Sequence, residues 1–381
     1  MSDRRDMARV WLEAGLDKVR NNFRKIRDAA APAQVLAVLK ANAYGLGVRP
    51  IAECLDRAGA AGFCAATLEE ALVLKTFGKP VMILGGVLDS ELSEAVANDI
   101  ILGITDAGCA RKISAEAARQ GKTAEVHFKL DTGMGRLGIL AKDAVRAIPE
   151  IRRLPNLDYA GIYTHFPSSE RGGNEENLAQ IQRFLNVIAA LAEQGIVFRK
   201  IHMANSDAVN FLPATHRPPF THVRTGIDLH GSFSRGKDGL GLESVFTLKS
   251  RLLTRRKMPA GSPIGYNSTC RLEKDTVLGT VTVGYADGLP LELSNRGSFL
   301  IRGKRCPVLG RISMDYTTVS LEAFGDDLPE PGTEVTLIGR ENGLSVTVED
   351  WAGLRGTHAY DVLCSFGPRV ERYYIGRDNQ P

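Results

Sequence analysis

The sequence predicts a (β/α)8 barrel of the TIM type followed by a mostly antiparallel β domain. Eight apolar runs of strand length alternate with stretches of helical composition, and together they cover about 230 residues, the usual size of such a barrel. From about residue 244 the pattern changes to short strands separated by turn residues. The alternative is an open doubly wound sheet, but the glycine-rich dinucleotide turn that normally follows its first strand is missing from the sequence.

The barrel is expected over residues 12–243. Its strands are predicted from apolar runs of four to seven residues that can be buried on both faces. These runs lie at 35–40, 62–66, 81–84, 100–104, 124–130, 159–164, 200–204 and 221–225. Helices are predicted around and between them at 16–29, 49–57, 68–76, 90–98, 107–120, 141–153 and 174–194.

The β domain is expected over residues 244–381. Its strands are predicted at 244–249, 277–285, 299–301, 316–321, 334–338 and 344–348. Proline and glycine cluster in turns at 259–261, 287–290 and 329–332. Helical periodicity nearly disappears from this part of the sequence, so a mostly antiparallel β domain is expected.

Composition excludes several classes of function. The 381 residues carry 48 basic and 44 acidic side chains, and this small net charge of +4, without a long basic run, does not indicate binding to nucleic acid or to a membrane surface. No run of eighteen apolar residues and no secretory signal are present, so a membrane span is not expected. The six cysteines are scattered, as is typical of free thiols in a reducing cytoplasm.

Lys40 is the first candidate for chemistry, because it ends the apolar run that begins at Val35. A lysine at the tip of a buried strand loses hydration, which favours the neutral amine that can form a Schiff base with a carbonyl cofactor. The alternative is a lysine that extends to solvent at a strand end. Tyr44, Gly45 and Gly47 follow at once, a composition that suits a tight turn beside an anion.

Other polar residues also follow predicted barrel strands, where the active sites of such barrels lie. They are Lys129 and Arg136 after strand five, His165 after strand six, Ser206 after strand seven, and Arg224, Gly226 and Ile227 at strand eight. The loops after strands seven and eight often hold a phosphate, which favours Ser206 and the amides of Gly226 and Ile227.

Each of these residues also has a simpler structural explanation. Ser206 could cap a helix, His165 could be a histidine at the core edge bonded to backbone, and Arg136 and Arg224 could be surface ion-pair partners. Their joint position on one barrel rim favours a functional site. A metal-dependent hydrolase is disfavoured, because His165 and His202 are not spaced to share an ion.

Nine motifs in order along nearly the whole chain resemble those of the bacterial alanine racemases. In the barrel they are Lys-Ala-Asn-Ala-Tyr-Gly at 40–45, Lys-Leu-Asp-Thr-Gly-Met-Gly-Arg-Leu-Gly at 129–138, Thr-His-Phe at 164–166, Ala-Asn-Ser at 204–206 and Arg-Thr-Gly-Ile at 224–227. In the β domain they are Ile-Gly-Tyr-Asn-Ser-Thr-Cys at 264–270, Gly-Tyr-Ala-Asp-Gly at 284–288, Gly-Arg-Ile-Ser-Met-Asp at 310–315 and Ala-Tyr-Asp at 359–361.

The resemblance implies a pyridoxal 5′-phosphate enzyme that interconverts L-alanine and D-alanine for peptidoglycan by a two-base mechanism. Lys40 would serve the face of the D isomer and Tyr266 the face of the L isomer. The implied cofactor-binding residues are Lys40, Tyr44, His165, Ser206, Arg224, Gly226, Ile227 and Tyr360. Arg136, Met314 and Tyr285 would bind the amino-acid substrate, and Lys129 would carry a carbamate in some family members.

Arg224 bears on the type of reaction. A guanidinium cannot accept the proton of the pyridine nitrogen and opposes its protonation, which suits racemisation better than transamination. The resemblance also implies a head-to-tail homodimer in the cytoplasm, in which Tyr266, Tyr285 and Met314 reach the cofactor of the opposite subunit. The strand near residues 7–11 would join the β domain.

Four positions depart from the family pattern, and they concern the shape of the substrate pocket. Leu46 stands where the family has histidine, Asn267 where it has glycine, Cys270 where it has an aromatic residue, and His230 where it has tyrosine. A broad-specificity or serine-preferring racemase is therefore an alternative. A pyridoxal-phosphate decarboxylase is disfavoured by Arg224, and a non-catalytic pyridoxal-phosphate binding protein by the presence of the β domain.

Overall fold

A computed structural model describes residues 7–232 and 239–376 of the chain. The chain divides into two compact units. The barrel unit comprises Lys18–Ala43 and Gly47–Ser244, and the β unit comprises the residues up to Asp17, Tyr44–Leu46 and the residues from Val245 on. The last residues of the expected β domain, 377–381, and residues 233–238 of the expected barrel lie outside the described part.

The predicted eight-stranded parallel barrel is confirmed. After strand β1 (Val10–Gly15), which belongs to the β unit, the barrel strands are β2 (Gln34–Val38), β3 (Gly62–Ala65), β4 (Val81–Ile83), β5 (Leu102–Ile104), β6 (Ala124–Asp131), β8 (Leu157–Tyr163), β9 (Lys200–His202) and β10 (His222–Thr225), with a short extra strand β7 (Ile139–Leu140) beside β6. Their order is β4-β3-β2-β10-β9-β8-β6-β5. A parallel bridge between Met82 and Ile101 joins β4 to the start of β5, so the sheet closes and the open-sheet alternative is wrong.

Helices lie between the barrel strands, as the sequence predicts. They are α1 (Leu16–Ala30), α2 (Val48–Ala58), α3 (Leu68–Lys75), α4 (Leu92–Ala97), α5 (Ala107–Arg119), α6 (Ala141–Ile151), α7 (Glu175–Glu193) and the short α8 (Ser206–Phe211). Side-chain caps fix several starts: Thr67, Asp106 and Asn174 each accept a hydrogen bond from the backbone N–H three residues later. Thr67 and Asp106 place their helix starts just after β3 and β5 end, whereas Asn174 follows a longer connection after β8.

The β unit is a mostly antiparallel sheet, as expected. Its strands besides β1 are β11 (Phe246–Met258), β12 (Pro263–Ile264), β13 (Cys270–Arg271), β14 (Thr276–Val281), β15 (Ser298–Ile301), β16 (Lys304–Pro307), β17 (Thr317–Ser320), β18 (Glu334–Glu341), β19 (Leu344–Val346) and β20 (Glu371–Ile375). The main path is β16-β15-β18-β11-β1-β20. The one parallel pair among the described strands of this sheet is β1 with β20.

Strand β1 corrects the expected start of the barrel. It runs to Gly15 and pairs with β11 through Val10–Ser250 to Ala14–Phe246, so residues 12–15 belong to the β unit. The apolar run Val10 to Leu12 is buried between β11 and β20. Trp11 and Leu12, both fully buried, anchor this edge of the sheet.

The β unit also contains two short helices where the sequence predicted none. Helices α9 (Val348–Arg355) and α10 (Ala359–Cys364) lie near its end. Helix α9 begins with a capping box, in which Thr347 Oγ1 accepts from Asp350 N at 3.0 Å and Asp350 Oδ2 accepts from Thr347 N at 2.8 Å. Both helices are too short to show a clear apolar period, which is why pattern analysis passed over them. No helix in the described residues is long and apolar enough to cross a membrane.

Candidate active site

A cavity of about 210 Å³ opens within the barrel unit and collects five of the predicted site residues. Lys40, Lys129, Arg136, His165 and Arg224 line it, together with Ala66, Leu84, Gly85, Leu137 and Tyr163. Four of these side chains are basic, and none of the described lining residues is acidic. The cavity is therefore suited to an anionic ligand.

Lys40 enters this cavity from a turn with unusual backbone geometry. Residues Ala41 to Tyr44 all have φ between 52° and 55°, which is the left-handed region. Each non-glycine residue in this region costs about 1–2 kcal/mol, so surrounding contacts must hold the turn. Strain of this kind is typical of functional sites, and here it immediately follows the candidate Schiff-base lysine.

The contacts that hold the left-handed turn come from Glu70 and Asn42. The Glu70 carboxylate accepts hydrogen bonds from Ala41 N at 2.5 Å and from Ala66 N at 3.0 Å. Asn42 Oδ1 accepts from Val48 N at 2.8 Å, the first residue of α2. Sequence analysis did not identify Glu70, because nothing in its neighbourhood distinguishes it from an exposed acid in the first turn of a helix.

Gly45 closes the same segment and belongs to the β unit. Its φ is 83°, and a Cβ atom at this position would lie 2.5 Å from the carbonyl oxygen of Leu363. Glycine is thus required for both conformation and space. Leu46, the first departure from the family pattern, is buried, and its carbonyl accepts a hydrogen bond from the hydroxyl of Tyr374 at 2.7 Å.

Arg224 is buried inside the barrel, so its interpretation as a surface ion-pair partner is wrong. Its Nη1 donates to His202 Nδ1 at 2.6 Å, and its Nη2 donates to the carbonyl of Thr164 at 2.7 Å. Nη2 also contacts the carbonyl of Met203 at 3.2 Å and His165 Nδ1 at 3.4 Å. Neutral acceptors therefore hold the guanidinium in place. Since none of them cancels its positive charge, that charge can attract an anionic group in the cavity.

His202 connects Arg224 to a buried hydrogen-bond chain that the sequence did not reveal. Since Arg224 can only donate, His202 Nδ1 accepts, and the hydrogen of a neutral imidazole then lies on Nε2. That nitrogen is 2.9 Å from His127 Nδ1, and His127 Nε2 is 3.2 Å from Glu125 Oε1. Burial, together with the charge of Arg224, holds the pKa of His202 well below its ordinary value, so the ring stays neutral. The hydrogen bonds therefore all run in one direction: Arg224 donates to His202, His202 donates to His127, and His127 donates to Glu125.

Tyr163 forms an aromatic wall beside these groups. Its ring stacks on His202 with centroids 5.0 Å apart, and its hydroxyl donates to the carbonyl of Leu84 at 2.9 Å. Lys129 Nζ lies 4.6 Å and the Arg224 guanidinium carbon 5.5 Å from its ring centroid. Tyr163 thus stabilises the Arg224 cation and the protonated form of Lys129 by cation–π contacts.

Lys129 and His165 are both shifted toward their neutral forms. Burial and then the charges of Arg224 and Arg136 lower the pKa of Lys129 to about 7. Burial, followed by the same cations together with Lys129 and Lys40, holds the pKa of His165 well below its usual range. A neutral His165 can accept a hydrogen bond from Arg224, which fits an orienting role.

Arg136 lies on an ordered loop after β6. The Asp131 carboxylate accepts from Gly133 N at 2.8 Å and from Arg136 N at 3.2 Å. Burial raises the pKa of Asp131, but the backbone amides of the loop together lower it below its ordinary value, so it stays charged. A charged Asp131 folds the loop and carries Arg136 to the cavity.

Ser206, Gly226 and Ile227 come together at the ends of β9 and β10. Gly226 N donates to Ser206 Oγ at 3.0 Å. Ser206 is not the helix cap considered above, because the cap of α8 is Asn205, whose Oδ1 accepts from Ala208 N at 3.0 Å. The serine hydroxyl is thus free of the capping role.

The β unit holds the remaining predicted site residues. Tyr266, Tyr285 and Met314 are exposed to 68%, 43% and 50% in the single chain. Tyr44 and Tyr360 instead contact each other, with ring centroids 5.7 Å apart. Large exposed side chains of this kind are typical of interfaces and binding sites.

Two other departures from the family pattern have a structural explanation. Asn267 has φ 63°, a conformation that glycine prefers and asparagine tolerates better than other residues, so it can replace glycine beside Tyr266. His230 is buried in the turn Ile227–His230, and burial lowers its pKa to about 3, so it is a neutral core side chain. Cys270 lies in β13 opposite Ile264 and is partly buried.

The site fits pyridoxal 5′-phosphate better than a metal. Four basic side chains suit its anionic groups, Lys40 offers an amine for its aldehyde, and buried Arg224 offers a fixed donor. Within the described residues, no group of three or more His, Cys, Asp or Glu side chains is arranged to hold a metal ion.

Two family models match the chain. The alanine racemase N-terminal domain matches residues 15–233, and the alanine racemase C-terminal domain matches residues 245–374. Curated relatives agree. An alanine racemase of Desulforamulus reducens is 36% identical over 96% of this chain and 99% of its own length. An alanine racemase of Symbiobacterium thermophilum is 34% identical over 97% of this chain and 98% of its own length.

Solved structures agree with the sequence matches. An alanine racemase from Streptomyces lavendulae is 34% identical and covers 97% of this chain and 98% of its own, with a TM-score of 0.90. An alanine racemase from Bartonella henselae with covalently bound pyridoxal phosphate is 29% identical, covers 97% and 100%, and has a TM-score of 0.87.

Proposed function

The chain belongs to the alanine racemase family, whose members interconvert L-alanine and D-alanine on pyridoxal 5′-phosphate, and we propose that Lys40 and Tyr266 are the two bases of this reaction here. The protein is an amino-acid racemase that acts on a small-molecule substrate. The observation that best supports the residue roles is the joint position of Lys40 and Arg224 on one cationic cavity. In the family the product supplies peptidoglycan synthesis.

Lys40 holds the cofactor and moves a proton at Cα on the face of the D isomer. When bound, pyridoxal phosphate withdraws electrons from Cα and makes its hydrogen removable by ordinary side-chain bases. Tyr266 moves a proton on the opposite face, for which an exposed phenol is suitable. Gly265 and Asn267, on either side of Tyr266, both have positive φ.

Arg224 keeps the reaction on the path of racemisation. Its guanidinium would donate to the pyridine nitrogen of the bound cofactor and, unlike a carboxylate, would not keep a proton there. Three of its other hydrogens go to His202, Thr164 and Met203, which leaves it little freedom to turn. This arrangement also disfavours the decarboxylase alternative, which relies on a carboxylate at the same place.

The remaining roles follow the charges of the residues. Arg136 binds the substrate carboxylate, with Met314 and Tyr285 completing the substrate site. Lys129 is half neutral near pH 7, and a neutral amine is the form that combines with carbon dioxide to give a carbamate. Such a carbamate would pair with Arg136 and reduce the repulsion among the cations.

The cofactor phosphate is held by Ser206 and by the amides of Gly226 and Ile227. Amides at the end of strand eight of a barrel commonly bind phosphate. Tyr44 and Tyr360 retain the cofactor-binding role that the resemblance implies, and His165 orients Arg224.

We also propose a homodimer in the cytoplasm. Tyr266, Tyr285 and Met314 are exposed in the single chain, as residues that serve the cofactor of a partner subunit would be. The six cysteines are free thiols, which suits a reducing compartment.

Solvent-deuterium exchange at Cα of alanine tests the assignment. Wild-type protein with added cofactor should exchange both isomers, and Lys40→Ala should exchange neither at a detectable rate. Tyr266→Phe should lose exchange mainly from L-alanine, whereas Tyr373→Phe, at a partly buried phenol of the β unit, should behave as wild type. Symmetric loss in Tyr266→Phe would refute the division between two bases. A parallel screen of L-serine and other amino acids would decide between a strict and a broad-specificity racemase.

A further inference from the structure

Asp228 is a fully buried carboxylic acid beside the proposed phosphate site. It follows Gly226 and Ile227 and has no exposed surface. Its Oδ1 accepts hydrogen bonds from Ser206 Oγ at 2.9 Å and from Leu229 N at 3.0 Å, whereas its Oδ2 has no hydrogen-bond partner among the described residues. An ionised carboxylate at this position would repel a phosphate dianion, so its presence requires an explanation.

The hydrogen bonds of Ser206 show the conflict in atomic terms. A serine hydroxyl has one hydrogen and two lone pairs. One lone pair accepts from Gly226 N at 3.0 Å, and the only hydrogen is donated to Asp228. A phosphate dianion offers acceptors alone, so Ser206 cannot donate to it while an ionised Asp228 holds that hydrogen.

Protonation of Asp228 would resolve the conflict, and its surroundings favour the acid form. Burial raises the pKa of Asp228 to about 7, against the lowering effect of the Ser206 and Leu229 hydrogen bonds. The charge of Asp207, on α8, raises it further. The group can therefore change its protonation state near neutral pH.

Other titratable groups on the neighbouring elements do not replace it as the proton acceptor. Arg224 on β10 remains charged. Burial lowers the pKa of His216, in the turn Pro213–His216, and lowers that of His230 to about 3, so both rings are neutral near pH 7. The negative charge of Asp207 opposes ionisation of Asp228.

We propose that Asp228 takes up one proton when the phosphate binds. The protonated acid then donates a hydrogen bond to Ser206 Oγ, which frees the serine hydrogen for a hydrogen bond to a phosphate oxygen. The proton comes from solvent, and no covalent bond to carbon or phosphorus changes. Asp228 is thus a positioning residue that couples cofactor binding to pH. This inference rests on the proposed function, in which Ser206 and Gly226 hold the cofactor phosphate.

Binding of 4′-deoxypyridoxine 5′-phosphate to the full-length apoenzyme tests the coupling. This probe has no aldehyde and cannot bond to Lys40, and its phosphate is a dianion above about pH 7. Calorimetry in two buffers of different ionisation enthalpy should show that about one proton is taken up for each probe molecule bound at about pH 9. Above this pH, the Kd of the probe should rise about tenfold for each pH unit. In Asp228→Asn the amide can donate to Ser206 at any pH, so residue 228 should take up almost no proton. At about pH 9 this variant should bind the probe about ten- to a hundredfold more tightly than wild type does.

Two controls make the result specific. Asp207→Asn removes a nearby charge but keeps the contact between Asp228 and Ser206. It should therefore lower the pH at which the affinity for the probe begins to fall, without changing the slope of that fall. Titration of Lys129 is common to all three proteins and cancels in their comparison. Equal proton uptake in wild type and in folded Asp228→Asn would overturn the inference. Binding of the probe to wild type without proton uptake would also overturn it, and this measurement does not require the variant to fold. Failure of wild type to bind either pyridoxal phosphate or the probe at pH 7 would instead refute the proposed function.

Discussion

The Nδ1 atom of His202 lies 2.6 Å from Nη1 of Arg224 in the interior of the barrel. This contact makes His202, rather than the more distant His165, the principal imidazole partner of the guanidinium. It also defines the tautomer of His202 and, through it, that of His127.

Replacement of His202 should therefore impair catalysis more than replacement of a neighbouring histidine. His202→Phe removes the acceptor of a buried charged donor, a loss of about 1.5–3 kcal/mol, and should lower kcat about ten- to a hundredfold. His222→Phe is the matched control, because its ring lies 6.4 Å from His202 and bonds to Thr221 instead of Arg224. Equal losses in the two variants would show that only ring packing matters.

Glycine should be tolerated better in the left-handed turn than in a helix. Ala41 is exposed and has φ 52°, so Ala41→Gly relieves a strain of about 1–2 kcal/mol at an entropic cost of about 0.5–1 kcal/mol. The free energy of unfolding should stay constant or rise by about 1 kcal/mol. Ala115→Gly, at an exposed position inside α5, should lower it by about 1 kcal/mol. Urea titration of both variants measures the difference, and equal destabilisation would contradict the left-handed geometry.

Lys129 should make the stability of the apoenzyme depend on pH. Its pKa falls from 10.5 in the unfolded chain to about 7 in the folded protein, so between these values the unfolded state binds more protons. Stability should thus rise with pH across this window, by at most about 1.4 kcal/mol for each pH unit from this group. Lys129→Met, measured by denaturation in buffer free of carbon dioxide, should lack this part of the rise. A wild-type curve parallel to that of the variant would disprove the shift.

Activity should depend on association between subunits. If Tyr266 serves the cofactor of a partner, dilution below the dimer dissociation constant should abolish exchange from L-alanine, and excess cofactor should not restore it. Sedimentation with activity measured on the same samples would show this. Mixing the variants Lys40→Ala and Tyr266→Phe should restore part of the exchange from L-alanine, because a mixed dimer has one site with both bases intact. Full activity in a proven monomer would refute the shared site.

Much of the fold was predictable because the barrel repeats a simple pattern. Each strand is an apolar run and each helix follows it closely, so strand ends such as those before Lys40 and Lys129 could be identified from sequence. These ends lie on one rim in any parallel barrel, which is why Lys40, Lys129, Arg136, His165 and Arg224 could be expected in one place. The structure does bring these five to one cavity.

Other parts of the site depend on contacts that no local pattern records. His127 and His202 lie on different strands and bond to each other only after the barrel closes. Glu70 resembles any acid in a first helical turn, and only the fold brings it to Ala41. Helix α9 was identifiable in principle, since Thr347 and Asp350 form a capping box, but eight residues are too few for a persuasive apolar period.

The place of β1 between β11 and β20 has a consequence for synthesis of the chain on the ribosome. This strand is translated before the barrel, its antiparallel partner β11 is translated only after the barrel, and its parallel partner β20 follows later still. The barrel can therefore assemble while Trp11 and Leu12 still lack their native strand partners, and this apolar segment stays exposed until β11 and β20 have been made. Chaperones that bind exposed apolar segments should therefore bind the nascent enzyme at β1 and release it only when β20 has paired.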